Sequence, residues 1–309
     1  TKYAPDDRCC DFEIRSLSFC YGRKNASAPI LSDISLKANR GDIIGIVGLP
    51  CVMGIPSLNT AAVFQSGRVL GIVTDLPSGA DSMIINGDTV PFGPSLSFFC
   101  TTLRFAVILS DHIDSPLSLS ALRAGQGVNV LFLLEAQPTQ VGLHDALRDA
   151  IRVHTRRCIA GCVYVSAGHG ESSTDHFFDG EAFIADRGRI LAESTPFTDD
   201  EPLIISEIDL AALNHDRRCH HDFHLDYISL GTVRNPICDI NLKLLQDDRP
   251  LLRPIHPHPF VPADTAARDR RCEETFRIQS HALAERLRHI GLQRAVIGIS
   301  GGLDSTLAL

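Results

Sequence analysis

Tryptophan is absent from the chain, and lysine and tyrosine occur only four times each in 309 residues. No lysine lies between Lys37 and Lys243. Acidic side chains number 37 against 29 basic ones, so the formal net charge is −8. A protein that binds the phosphate backbone of nucleic acids needs a clustered positive field, and this charge balance therefore excludes nucleic acid as an expected partner.

Cysteine and long apolar runs are also too scarce for a disulfide-rich protein or a membrane-spanning protein. Ten cysteines follow no repeated spacing, which excludes a disulfide scaffold and indicates reduced thiols in a cytoplasmic protein. The longest stretch without a charge, residues 43–67, is long enough to cross a bilayer, but it is interrupted by Pro50, Pro56, Asn59 and Gln65. We therefore expect neither a membrane span nor a membrane partner.

Both ends of the chain indicate a piece of a longer protein. Thr1 is not an initiator methionine, and Leu309 stops within an apolar run. The first residues lack the basic start and apolar core of a secretion signal, so we expect a protein that is not secreted. The length suits two domains, or one large domain with an appendage.

With 44% hydrophobic and 21% charged residues, the chain can bury a sizeable core. Short apolar runs predict strands at residues 12–19, 30–36, 43–48, 61–64, 69–74, 105–110, 128–134, 162–166, 182–185, 190–192, 203–205 and 295–299. Residues 141–158 and 272–290 carry apolar side chains at helical spacing, and Gly291 is placed to end the second helix. Four prolines in residues 251–262 predict a linker, because proline donates no backbone hydrogen bond. The interleaved strands and helices predict an α/β fold.

The sharpest functional motif is Ser-Gly-Gly-Leu-Asp-Ser at residues 300–305, between a predicted strand and a predicted helix start. Glycines let a phosphate group approach the backbone, and the amides and dipole at a helix N-terminus favour an anion, so this loop is predicted to bind pyrophosphate. An ordinary strand-to-helix turn would tolerate the two glycines but does not need Ser300, Asp304 and Ser305 together.

This loop resembles the pyrophosphate loop of the ATP pyrophosphatase superfamily and, with residues 295–299 before it, that of NAD synthetases. Residues 252–264 and 271–274 resemble the segment that joins the two domains of glutamine-dependent NAD synthetases. Residues 166–175 and 188–194 resemble the nitrilase-type amidase domain of the same family.

The resemblance implies a nitrilase-like α-β-β-α sandwich followed by the first strand, loop and helix of a Rossmann-like ATP pyrophosphatase domain. It divides the chain into an opening β segment (1–48), an amidase-like domain (49–250), a proline-rich linker (251–266) and a truncated synthetase domain (267–309). It also implies a ligase with ATP and Mg²⁺ as cofactors, glutamine and deamido-NAD as ligands, and a homo-oligomer. The residues it assigns to the ATP pyrophosphate are Gly298, Ile299, Ser300, Gly301, Gly302, Leu303, Asp304 and Ser305. It assigns no metal ligand.

In that family the amidase domain releases ammonia from glutamine through a Glu-Lys-Cys triad. The nucleophile position is matched here by Ser110, whose hydroxyl needs a strong neighbouring base. Asp75 stands near the expected lysine, and no glutamate occurs in the early strands of the domain. The family's two glutamine-contact positions match Gln137 and Leu143. We therefore expect this chain to be inactive as an amidase.

The first 48 residues resemble a different family, the ATPases of ABC transporters. Residues 13–22 and 30–48 carry this resemblance, in which Tyr21 would stack on adenine and Gly48 would open the phosphate loop. The residues after Gly48 have the wrong spacing for that loop and include no lysine. We therefore favour strands that add an edge to a sheet over a second nucleotide site.

Two cysteine-containing clusters have simple interpretations. Residues 219–224 hold a cysteine and three histidines, and His220 and His224 would share a helix face as zinc ligands, but a solvated polar loop is favoured. Cys158 and Cys162 lack the spacing of a redox or zinc motif and are predicted to be buried thiols.

Other functional assignments remain open. Ser110, Asp111 and His112 are residue types of a hydrolase triad, but neighbours on a strand point in opposite directions and should not converge. A scaffold that keeps the sandwich for assembly is an alternative to an enzyme. A recombined reading frame without a selected function is another, because the two resemblances meet abruptly at Gly48.

Overall fold

The structure is a computed structural model that describes residues 10–19, 31–39, 44–49, 59–65, 68–77, 81–85, 87–94, 96–198, 203–220, 237–239, 251–253, 255, 257–258 and 260–309. The chain forms two units, Thr1–Arg253 and Pro254–Leu309, and the division falls within the predicted linker. None of the described helices combines the length and apolar character that a membrane span needs.

A seven-stranded sheet forms the centre of the first unit. Its strands are β8 (Ser97–Cys100), β9 (Leu103–Leu109), β10 (Val130–Glu135), β11 (Gly161–Ser166), β12 (Ala182–Asp186), β13 (Arg189–Glu193) and β14 (Ile237–Asp239). They are ordered β13-β12-β11-β10-β9-β8-β14. The three central strands, β9, β10 and β11, are parallel. β12, β13 and β8 pair antiparallel with their neighbours β11, β12 and β9, whereas β14 is parallel to β8.

A five-stranded sheet contains β3 (Ile44–Leu49), β4 (Thr60–Gln65), β5 (Arg68–Thr74), β6 (Ser82–Ile85) and β7 (Asp88–Gly93), in the order β3-β4-β5-β7-β6. β3 is the edge strand, and the domain boundary predicted near residue 48 falls within it. β1 (Cys10–Phe19) and β2 (Leu31–Asn39) pair only with each other among the described residues. The described residues of the opening segment (1–48) therefore contribute one strand to the edge of a sheet and a separate two-stranded sheet.

Alternating side chains divide the core into two layers. On β9, Ala106 and Ile108 face helices α1 (Leu119–Gly125) and α2 (Leu143–Cys158). Phe105 and Val107, which alternate with these two residues along the strand, face the five-stranded sheet. A strand that is buried on both faces reads as a continuous apolar run, which is why the sequence predicted β9 and β10 clearly. The predicted α/β class, with two sheets packed face to face, is confirmed.

Two predicted strands are wrong. Residues 203–205 are irregular and lead into α3 (Leu210–Cys219), and residues 295–299 are also irregular. A strand exists only with a hydrogen-bonded neighbour, and no described residue pairs with either segment. In the second unit, α4 (Thr265–His289) begins inside the predicted linker, where the Asp264 carboxylate accepts the N–H of Ala267 at 2.7 Å. A short helix, α5 (Leu303–Leu307), follows the loop.

Candidate functional site

The parallel strands β9, β10 and β11 end at one edge of the seven-stranded sheet. Their registers pair Leu109 with Leu134, and Glu135 with Ser166. In open α/β sheets, ligands bind beyond the carboxyl ends of parallel strands. We therefore define the strand-end site as Ser110, Asp111, Glu135 and Ser166.

Ser110 follows β9 directly and has a left-handed backbone conformation, with φ of 54°. Its N–H donates to the carbonyl oxygen of Leu134 at 3.1 Å, and its side chain is exposed. Outside glycine, such a conformation costs about 1 kcal/mol or more and is concentrated at functional sites. A sharp turn that presents a hydroxyl at the end of a buried strand is also the geometry of strand-end nucleophiles. β9 ends at Leu109, one residue before the predicted end of the strand, and the catalytic role of Ser110 stays a prediction.

Glu135 ends β10, and its side chain is partly buried. Its Oε1 accepts the N–H of Asp111 at 2.6 Å. Burial raises the pKa of the Glu135 carboxyl to about 7; the hydrogen bond from Asp111 opposes this rise, and the Asp111 charge adds to it. Both protonation states are therefore populated near neutral pH. Glu135 is not among the site residues predicted from the sequence, although an acidic residue at the end of a buried strand was a usable signal.

Asp111 connects the strand-end site to helix α1. Its Oδ1 accepts the N–H of Leu119 at 2.9 Å, whereas Oδ2 is buried without a hydrogen-bond partner in the described part of the chain. The carboxylate thus serves the start of the helix. This use agrees with the expectation that Ser110, Asp111 and His112 do not converge as a triad.

No cation of the described residues is in hydrogen-bond contact with Glu135, and the sequence has no lysine between Lys37 and Lys243. Asp75, near the position of the family's lysine, accepts the backbone N–H and the Nδ2 group of Asn59 at 3.2 and 2.9 Å. The buried Arg217 donates to three backbone carbonyls that precede β10 and β11, at the opposite edge of the sheet. The ammonium group of the family's triad therefore has no replacement among these side chains.

The two positions that match glutamine contacts have different surroundings. The N–H of Gln137 donates to Ser166 Oγ at 3.1 Å, which places Gln137 beside the strand-end site. Leu143 begins α2 and packs against the core. Nearby, His144 Nδ1 lies 2.6 Å from Oε2 of the buried Glu181. A neutral Gln137 and an apolar Leu143 offer no charge for a zwitterionic amino acid.

The buried thiols and the buried histidine of the helical layer are structural. Cys158 and Cys162 are free and buried, as predicted, and burial raises the pKa of both thiols. A thiol with a raised pKa is a poor nucleophile near neutral pH. His154 Nε2 lies 2.9 Å from Ser120 Oγ, and burial lowers the pKa of His154 to about 4, so its ring is neutral.

The possible zinc cluster is only partly described. Cys219 ends α3, is exposed, and lies 3.6 Å from His215 Nε2. His224, the predicted partner of His220, lies outside the described residues. Within those that are described, no three His, Cys, Asp or Glu side chains are grouped to hold a metal ion.

In the second unit, the loop before α5 is closed by its own serines. Ser300 Oγ and Ser305 Oγ are 3.1 Å apart, and the N–H of Ser300 donates to Ser305 Oγ at 3.2 Å. Gly301 has φ of 81°, a conformation that suits glycine. The N–H of Gly302 donates to Ser300 Oγ at 3.4 Å, and the Asp304 side chain is exposed. The loop therefore turns into the helix as the motif predicted, without the strand that was expected to precede it.

No protein-family model matches the chain. The glutamine-dependent NAD(+) synthetase of Mycobacterium leprae (strain TN) is 32% identical over 314 aligned positions, which include 91% of this chain and 46% of that protein. This chain is a homologue of glutamine-dependent NAD(+) synthetases. It spans about half the length of that relative. The resemblance inferred from residues 166–194 and 252–305 is confirmed.

Two solved structures are among those that the chain is similar to. A glutamine-dependent NAD(+) synthetase from Cytophaga hutchinsonii has a TM-score of 0.42 and 17% identity, over 50% of this chain and 28% of that chain. A carbon-nitrogen hydrolase from Helicobacter pylori G27 has a TM-score of 0.40 and 18% identity, over 54% of this chain and 62% of that chain. The match of Ser110 to the family's nucleophile position stays a prediction, and Glu135 ends the neighbouring strand.

Proposed function

We propose that this chain is the amidase-like part of a glutamine-dependent NAD(+) synthetase, with the start of the synthetase part, and that its amidase-like domain does not hydrolyse glutamine. The reaction of such a synthetase is the ATP-dependent amidation of deamido-NAD with ammonia. One observation carries the proposal: next to Ser110, which we match to the nucleophile position, the Asp111 N–H binds the Glu135 carboxyl, and no ammonium group among the described residues contacts that carboxyl.

Amide hydrolysis at this edge would need a nucleophile, a base that removes its proton, and a hydrogen-bond donor or positive group that stabilises the oxyanion. The Ser110 hydroxyl ionises far above neutral pH. The Glu135 carboxyl, a candidate base at the same strand-end site, is partly protonated near pH 7 and already accepts the Asp111 N–H. Loss of an effective base lowers a rate by about 10²–10⁴, and loss of one oxyanion donor lowers it by about 10²–10³. Together these losses put glutamine turnover below a useful rate.

The loop at residues 298–305 supports a phosphate-binding role for the synthetase part. The left-handed Gly301, the adjacent Gly302 and the hydroxyls of Ser300 and Ser305 fit a phosphate group. They do not fit Mg²⁺ by themselves, because Asp304 is a single carboxylate and the described residues hold no cluster of ligands. We therefore assign ATP phosphates, but no metal ion, to this loop. The free thiols of Cys158, Cys162, Cys219 and Cys272 support a reducing compartment, and we place the protein in the cytoplasm.

A non-catalytic scaffold that forms a homo-oligomer is the second candidate. Apolar side chains on α4 remain exposed, among them Phe276 and Leu283 at 51% and 48%. Exposed apolar surface of this kind is typical of association surfaces. ATP binding by calorimetry and solution size by light scattering distinguish the candidates. Saturable ATP binding that Asp304→Ala abolishes supports the synthetase assignment, whereas a discrete oligomer that does not bind ATP supports the scaffold.

Restoring the thiol tests the amidase half of the proposal. Ser110→Cys should release no more ammonia from glutamine than Ser110→Ala, because the chain still lacks the lysine. Ammonia release by Ser110→Cys that clearly exceeds that of Ser110→Ala would show that a thiol alone suffices, and it would refute the proposed loss of amidase chemistry.

A further inference from the structure

The shortest described hydrogen bond at the strand-end site joins a backbone N–H to a side-chain carboxyl group. The Asp111 N–H donates to Glu135 Oε1 at 2.6 Å. The preceding N–H, that of Ser110, donates to the Leu134 carbonyl on the same neighbouring strand. Both amides of the turn are therefore directed at β10.

The donor in this hydrogen bond, the Asp111 N–H, is placed where a hydrolase binds the oxyanion. Where a nucleophile sits on a strained turn at the end of a strand, the N–H of the next residue stabilises the oxyanion of the tetrahedral intermediate. Ser110 has that strained conformation, with φ of 54°, and Asp111 is the next residue. The N–H that would receive a substrate oxygen is thus bonded to an oxygen of the protein.

We propose that the Glu135 carboxyl occupies the oxyanion position of this site, so that a small carboxylate binds there once the Glu135 side chain is removed. The assignment rests on the proposed function only in treating Ser110 as the former nucleophile position. The expected ligand class is a short monocarboxylate, which supplies the same planar pair of oxygens.

The surroundings hold both partners of this contact in place. The Glu135 carbonyl oxygen accepts the N–H of Ala167 at 2.9 Å, which fixes the backbone of Glu135 between β9 and β11. On the donor side, the Asp111 carboxylate accepts the N–H of Leu119 at the start of α1. Because both partners also make hydrogen bonds that do not involve the Glu135 side chain, we expect the position to persist when that side chain is shortened.

Glu135→Ala with sodium acetate tests the proposal, since acetate restores the carboxyl group that the substitution removes. Binding is followed through the Asp111 amide signal in ¹H–¹⁵N NMR spectra. We expect saturable binding with a dissociation constant on the order of 1 mM, as suits so small a ligand. Chloride at the same concentration controls for ionic strength.

Glu135→Gln is the matched control, because its amide oxygen still fills the position. Acetate should bind to Glu135→Gln and to the unmutated chain at least about tenfold more weakly than to Glu135→Ala. Equal binding to the three proteins, or no binding to a folded Glu135→Ala, overturns the proposal. If Glu135→Ala does not fold, the unmutated chain and Glu135→Gln still decide the question. In the unmutated chain, the proposal requires the Asp111 amide proton to resonate downfield, because its N–H donates to a carboxyl group. In Glu135→Gln this signal should move upfield, and an unchanged signal refutes the proposal.

This experiment separates the assignment from the proposed function. Glutamine hydrolysis by the unmutated chain would refute the proposed function whatever acetate does. Failure of acetate to bind would refute only the assignment of Glu135 to the oxyanion position.

Discussion

Glu135 should make the chain more stable in mild acid than at neutral pH, and Glu135→Gln should remove that effect. The pKa of Glu135 is raised from 4.5 to about 7 in the folded chain, mainly by burial. Between these two values the folded state retains a proton that the unfolded chain has released. The stabilisation is therefore complete below about pH 4.5 and is lost as the pH rises through 7.

The size of the effect follows from the shift. One pKa unit corresponds to about 1.4 kcal/mol, which gives a ceiling of about 3 kcal/mol for Glu135. The side chain is only partly buried, and solvent screening reduces this value. From pH 7 to pH 5 we expect the unmutated chain to gain about 1–2 kcal/mol from Glu135. Glutamine retains an oxygen for the Asp111 N–H but cannot titrate, so the variant lacks this gain.

Urea unfolding at pH 5 and pH 7 measures the difference. Far-UV circular dichroism is the suitable signal, because the chain has no tryptophan. All other titrating groups are common to both proteins, so the comparison isolates Glu135. If Glu135→Gln and the unmutated chain show the same change in unfolding free energy between the two pH values, the environment assigned to Glu135 is wrong.

Two further predictions concern the core of the first unit. Burial lowers the pKa of His154 from 6.5 to about 4, so between pH 7 and pH 5 only the unfolded chain takes up a proton at this residue. His154 should therefore lower the unfolding free energy by about 2 kcal/mol when the pH falls from 7 to 5. His154→Gln should lack this loss in the same urea experiment, and an unchanged loss would contradict the prediction. Gly161→Ala should lower the unfolding free energy by about 1–3 kcal/mol, because its Cβ would lie 2.8 Å from Ile208 Cγ2. Ile208→Ala should relieve the clash, so thermal unfolding of the double variant should show less destabilisation than the sum of the two single variants, whereas simple additivity would argue against the contact.

The central sheet could be predicted from sequence because its strands are buried on both faces. Residues 105–109 and 130–134 form continuous apolar runs, and the helix over 141–158 has a clear apolar stripe. The strand predicted at 295–299 has a similar apolar run but no described partner. The local pattern of apolar residues indicates that a segment tends to be buried. A strand also requires a neighbouring strand at hydrogen-bond distance, which that pattern does not show.

The strand-end site could be predicted only in part. The position of Ser110 followed from the end of an apolar run and from the family resemblance. Glu135 lies 25 positions further along the chain and reaches the Asp111 N–H through the parallel register of β9 and β10. Neither that register nor the left-handed conformation of Ser110 can be predicted from the local pattern of residues. The raised pKa of Glu135 likewise depends on burial that tertiary packing creates.

Ammonia release from glutamine by the unmutated chain is the most direct test of the account, measured from pH 6 to pH 9 so that Glu135 is sampled in both protonation states. We expect release at the rate of glutamine in buffer alone at every pH. Saturable ammonia release that Ser110→Ala abolishes would show that a serine beside a carboxyl can perform the family's hydrolysis, and it would contradict the account.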